Sequence, residues 1–107
     1  MFKLIVYVPE SHLETVKSAL FEAGAGRLGH YEHCCWQSLG QGQFRPLAGS
    51  DPFLGKVGQL ETLAEYRIEI LCTEVNLVAA VRALIEAHPF EEPAYDVIAL
   101  SNPSVLV

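Results

Sequence analysis

Glu61-Thr62-Leu63-Ala64-Glu65-Tyr66-Arg67-Ile68-Glu69-Ile70-Leu71-Cys72 alternates in polarity along its length. Ala64, Tyr66, Ile68, Ile70 and Cys72 fall on one face, and Leu63, Glu65, Arg67, Glu69 and Leu71 on the other, so the stretch predicts a half-buried strand. Downstream, Leu77, Val81, Leu84, Ile85 and His88 recur at helical spacing, with Thr73 or Asn76 available as caps and Pro89 unable to continue a helix. A helix is expected over about Asn76 to Ala87, followed by a last strand, Ala94 to Leu100, after Pro93. The tail through Asn102-Pro103 is left unassigned.

Upstream, Gly40 to Gly58 holds five glycines with Pro46 and Pro52, which predicts a long irregular loop. Before it, Gly29 to Leu39 lacks helical periodicity and reads as a strand. At the start of the chain, Phe2 to Val8 is β-branched and aromatic and is closed by Pro9, which gives a first strand with both faces apolar. Ser11-His12-Leu13-Glu14 has capping-box spacing. Leu13, Val16, Leu20 and Ala23 then follow the helical period, and Gly24-Ala25-Gly26 supplies a left-handed stop. The order βαββαβ is the split βαβ arrangement of an α+β, ferredoxin-like sandwich, an antiparallel sheet with two helices on one face. With Leu4 and Val6 apolar as well as Ile5 and Tyr7, the helix-free face is expected to be covered by another subunit.

The chain has 107 residues, enough for one domain of residues 1–107, and is 50% hydrophobic. Its 7 Lys+Arg against 13 Asp+Glu give a net charge of −6, which opposes general binding to nucleic acid or to an anionic membrane surface. The longest run without charge, His33 to Phe44, is too short to span a membrane, and Leu4 to Val8 is too short for the core of a signal peptide. Three cysteines, two of them adjacent, fit free thiols in a reducing compartment, so a cytoplasmic protein is expected.

Residues 27–56 run against the overall charge, with Arg27, Arg45 and Lys56 facing only Glu32 and Asp51. A small anionic ligand held by Arg27, Gly40, Gly42, Arg45 and Lys56 is one reading, and basic side chains solvating a loop is the other. Neither a dinucleotide fingerprint nor a phosphate loop is present: Gly40-Gln41-Gly42 lacks the third glycine, and Gly49 to Gly55-Lys56-Val57 has one residue too many and Val in place of Ser or Thr. His33 and Cys35 lie two apart with His30 nearby, and Glu91 and Glu92 stand beside His88. His30, His33, Cys35, His88, Glu91 and Glu92 are therefore the candidate ligands for a divalent metal ion, against the plainer reading of packed side chains and a structural turn. An imidazolium at His88 would meet the negative end of the second helix. No nucleophile signature is found, so no catalytic residue is assigned and a non-enzymatic protein is expected.

Three separated motifs make the chain specific: Gly24-Ala25-Gly26-Arg27-Leu28-Gly29-His30-Tyr31, Gly40-Gln41-Gly42-Gln43-Phe44-Arg45-Pro46-Leu47 and His88-Pro89-Phe90-Glu91-Glu92-Pro93-Ala94-Tyr95-Asp96. In this order they resemble the PII/CutA-like domain inserted in YqfO proteins, of the Nif-three-like dinuclear-metal-centre hexameric family. Phe90 stands where that motif commonly has Tyr, and the Cys34-Cys35-Trp36 run departs from a pattern with fewer cysteines. The resemblance implies a ferredoxin-like fold, here as a standalone chain, and homo-oligomers formed through the sheets, a trimer rather than a dimer. It carries over no metal ligand, because the segments that build the family's two-metal centre flank the domain. The resulting expectation is a small-ligand or partner-binding module working through the Gly40–Gly58 loop, with a metal-binding protein as the alternative.

Overall fold

A computed structural model describes residues 1–101; the unassigned tail from Asn102 lies outside the described residues. The elements run β1 (Phe2–Pro9), a 3-10 turn (Glu10–His12), α1 (Leu13–Glu22), β2 (Trp36–Phe44), β3 (Glu61–Cys72), α2 (Glu74–Ala87) and β4 (Tyr95–Ala99). The strands form one antiparallel sheet in the order β2-β3-β1-β4, so each βαβ unit is split by a strand from the other. This is the expected α+β, ferredoxin-like fold.

The alternation in β3 decides which face meets the helices. In register, Leu4 lies opposite Ile70 and Val6 opposite Ile68. These four join Val8, Cys72, Leu13, Val16 and Leu20 of α1, and Ala80 and Leu84 of α2, in one buried core. Burying each large aliphatic side chain contributes about 1.5–3 kcal/mol, which holds both helices to the same side of the sheet. On the opposite face lie Lys3, Ile5 and Tyr7, paired with Leu71, Glu69 and Arg67.

Local signals at the helix ends fare differently. At the end of α1 the amide of Ala25 donates to Leu20 O and that of Gly24 to Phe21 O, with Gly24 at φ +99°. That double bond is the left-handed stop the glycines predicted. The capping box is not formed: the residues before Leu13 wind into a 3-10 turn without a side-chain cap, and Ser11 Oγ instead lies 2.8 Å from His12 Nδ1.

The second strand is displaced from its expected position. It spans Trp36–Phe44 rather than Gly29 to Leu39, so the irregular loop begins only at Arg45. Gly40-Gln41-Gly42-Gln43 carries no strand preference of its own, but it pairs in register with Glu65, Ala64, Leu63 and Thr62 of β3, whose ladder supplies the hydrogen bonds. The chain from Gly26 to Cys35 is instead tied down locally, by Gly26 N–H to Leu71 O and Cys34 N–H to Gly26 O, each 2.8 Å.

Candidate functional site

Two of the sequence motifs, distant along the chain, meet in space. The loop of residues 45–60 is closed at its base by the Gly58 amide donating to Pro46 O at 2.8 Å, and is turned by Ser50, whose Oγ donates to Leu47 O at 2.6 Å. Its tip folds back over the turn of residues 88–94: the Asp51 amide donates to the Glu91 carboxylate, 3.1 Å from Oε2. Phe53 of the loop stands edge-on to His12 at 5.4 Å and lies 6.2 Å from Phe90 of the turn. Phe44, at the end of β2, is 6.1 Å from the same Phe90.

Between loop, turn and hairpin opens a cleft of about 370 Å³. Phe44, Phe53, Phe90, Leu54 and Leu63 supply apolar wall, and Arg45, Glu65, Glu91 and Glu92 bring charge. Glu65 is half-buried there, and burial pushes its carboxyl above the ordinary range. Its position depends on Gly42, because a Cβ at residue 42 would collide with the Glu65 carboxylate.

His88 is the anchor of the turn and is only 6% exposed. Its Nε2 lies 2.6 Å from the Tyr7 carbonyl and its Nδ1 accepts the Phe90 amide at 3.1 Å. An acceptor at Nδ1 and a donor at Nε2 define one neutral tautomer. Burial pushes the imidazole below its ordinary value, the bond to Tyr7 opposes this, and nearby His12 adds to the lowering. An imidazolium facing the helix end is not the arrangement found: burial favours the neutral ring, and the side chain aims at β1. It takes the Tyr7 carbonyl just where β4 pairing runs out, beside the Tyr7 amide bond to Ala94 O.

Of the five residues proposed for an anion, the structure brings only Arg45 into this cleft. Gly42 lies in β2 beneath Glu65, Lys56 is exposed in the loop and does not line the cleft, and Gly40 lines another hollow of about 440 Å³ with Trp36 and Arg67. Arg27 borders a third hollow with Cys34 and Cys35. The six metal candidates are likewise dispersed. Glu91 and Glu92 line the cleft, both nitrogens of His88 are engaged, and His30 is exposed. His33, at φ 58°, stacks on Phe21 at 4.7 Å, and Cys35 packs against the core. Among the described residues no group of three or more His, Cys, Asp or Glu is placed to hold a metal ion. Phe44, Phe53, Glu65 and Phe90 were missed as site residues. The three rings share one signal, an aromatic residue beside a Gly or Pro motif, whereas Glu65 carries none beyond its place in the alternation of β3.

The helix-free face of the sheet carries a second polar cluster. The Glu69 carboxylate lies 3.3 Å from both Lys3 Nζ and Arg67 Nε, and Arg67 Nη1 donates to Tyr7 Oη at 3.3 Å. Arg67 Nε is nonetheless buried without a hydrogen-bond partner. No helix among the described residues is long and apolar enough to cross a membrane, and the three cysteines are unpaired.

No family model matches the chain. It is 46% identical over 102 residues to a protein of Halalkalibacterium halodurans named GTP cyclohydrolase 1 type 2 homolog, covering 95% of this chain and 27% of that one. The Bacillus subtilis protein of the same name is 47% identical over 95 residues, covering 89% and 26%. Among solved structures, the Bacillus cereus protein related to NIF3 superposes with a TM-score of 0.81 at 42% identity, over 94% of this chain and 26% of that one. The CutA of Archaeoglobus fulgidus, titled a periplasmic divalent cation tolerance protein, matches at a TM-score of 0.67 and 13% identity, over 95% of this chain and 86% of its own. The chain thus spans about a quarter of the length of the curated relatives it matches. By sequence it is similar to one segment of the NIF3-related proteins, and its ferredoxin-like fold is the one the CutA structures share.

Proposed function

We propose that this chain is a single-domain, homo-oligomeric, cytoplasmic module that binds a small ligand in the cleft between the 45–60 loop and the 88–94 turn, and that it is not itself an enzyme. The carrying observation is that an irregular loop is fastened across the turn by the Asp51–Glu91 bond, leaving a cleft of about 370 Å³ walled by three phenylalanines. That volume suits a small molecule, since ligand pockets run from about 300 to 1,000 Å³ with apolar walls and a few polar groups. The name of the longer relatives concerns whole proteins, and no catalytic residue of this chain is proposed for their reaction. Free cysteines support the cytoplasmic placement.

Binding is tested by titrating isotope-labelled protein with phenethyl alcohol, a neutral aromatic probe, and following amide shifts. Shifts concentrated at Phe44, Phe53, Phe90 and their neighbours are expected. Shifts scattered over the surface, or confined to the hollow around Trp36 and Gly40, overturn the reading.

Self-association is supported by the helix-free face. It carries Trp36, 59% exposed, and Ile98, 44% exposed, on the side of the sheet that no helix covers. Large apolar side chains left in water on one face of a sheet are stabilised when a second copy covers them. Native mass spectrometry is expected to give an oligomer, a trimer in keeping with the CutA resemblance, and Trp36→Glu is expected to dissociate it. A monomer at micromolar concentration removes this part of the proposal.

A further inference from the structure

We propose that the cleft is selective for an organic cation, an ammonium group carried on an aromatic or aliphatic body. The inference rests on the cleft being the ligand site and names the ligand class. Three carboxylates, Glu65, Glu91 and Glu92, border it against the single guanidinium of Arg45. None of these four groups takes part in an ion pair among the described residues, so the excess negative charge is not balanced from within. Around them stand the rings of Phe44, Phe53 and Phe90, with Phe90 about equally far, 6.1 and 6.2 Å, from the other two. Aromatic faces attract cations, and more strongly where water is excluded.

Two other ligand classes fit less well. A nucleotide or other phosphate would bring its charge against three carboxylates, and one arginine does not offset them. A bare divalent metal needs converging oxygen ligands at about 2.0–2.6 Å, and the described residues gather no such group. The carboxylates are instead spread around apolar wall, a spacing that suits a cation with carbon substituents. Two local features hold them there. Gly42 leaves the space that the Glu65 carboxylate fills, and Glu91 is held by the Asp51 amide.

The experiment compares phenethylammonium, phenethyl alcohol and phenylacetate, three probes of like shape and different charge, by chemical-shift titration of the full chain up to about 10 mM. Phenethylammonium should bind at the cleft about tenfold more tightly than the alcohol, and phenylacetate most weakly. Glu92→Gln, at an exposed position that leaves the core intact, should weaken the ammonium about threefold to fivefold more than it weakens the alcohol, and Phe53→Leu, which removes part of the wall, should weaken both, the ammonium more. Equal affinities for the three probes, or preference for phenylacetate, overturn the inference and leave the cleft as a ligand site. No shifts at the cleft with any probe overturn both.

Discussion

The imidazole of His88 takes up the carbonyl oxygen of Tyr7 across 2.6 Å, joining the end of the second helix to the first strand over a sequence separation of 81 residues. The same ring accepts the Phe90 amide, so a single buried side chain satisfies one orphan from the sheet and one from the turn. Removing it strands both. His88→Ala is expected to cost about 2–4 kcal/mol, from two unpaired buried groups and a small cavity, read as a shift in the urea midpoint.

The protonation state gives that bond a pH signature. Folding holds His88 below the unfolded value of 6.5, so the unfolded chain takes up the proton first. The stability His88 contributes is complete above about pH 6.5 and is lost as pH falls toward its lowered folded value. Imidazole resonances in the folded protein should therefore still report the neutral Nε2–H tautomer at pH 6.5 and remain unmoved on titration with zinc. A ring that is half-protonated there, or that shifts with metal, contradicts the assignment.

Leu20 and Leu47 separate core from loop. Leu20 is fully buried among Val16, Leu84 and the strand residues, whereas Leu47 is 68% exposed. Leu20→Ala should cost about 2–5 kcal/mol and Leu47→Ala within about 0.5 kcal/mol, as measured by chemical unfolding.

Two glycines test backbone against side-chain constraint. Gly26 sits at φ +78°, and a Cβ there would come 2.7 Å from the Cys34 carbonyl oxygen, a backbone atom that also limits rearrangement. Gly26→Ala is expected to cost about 2–4 kcal/mol. Gly42→Ala meets only the end of the Glu65 side chain, so it should cost under about 1 kcal/mol and instead push that carboxylate out of its place. Freed into water, Glu65 loses the desolvation that raises its pKa. Because a raised folded pKa favours the folded state at low pH and weakens it as pH rises through that value, Gly42→Ala should flatten the carboxylate part of the stability profile.

What was legible in the sequence follows the range of the interactions. β3 was readable because burial imposes a period of two on Ile68 and Ile70, β1 because its run is β-branched and aromatic up to Pro9, and the stop after α1 because Gly24 acts within one turn. The position of β2 was not, since Gly40 to Gln43 become a strand only through the ladder of β3. Ser11 and Glu14 have the spacing of a capping box, yet Pro9 and the 3-10 turn set another entry to the helix. The site was half visible. Arg45, Glu91 and Glu92 were named, but that Phe53 would fold onto Phe90 depends on a contact no local pattern encodes.

The Asp51–Glu91 bond makes the loop's hold on the turn separable from the fold. Both residues are exposed, and the carboxylate accepts the Asp51 amide with oxygens at 3.1 and 3.2 Å. Glu91→Ala removes the acceptor without touching the core, so global stability should change by less than about 0.5 kcal/mol. Locally, the loss of about 1 kcal/mol should speed hydrogen exchange of the Asp51 amide about fivefold, with neighbouring loop amides following it and those of β1 and β3 unaffected. Glu91→Gln keeps an acceptor oxygen but loses the charge that strengthens the bond, and should fall between the two. Unchanged exchange at Asp51 in Glu91→Ala would mean that the packing of Phe53 on His12 and Phe90 holds the loop without this bond.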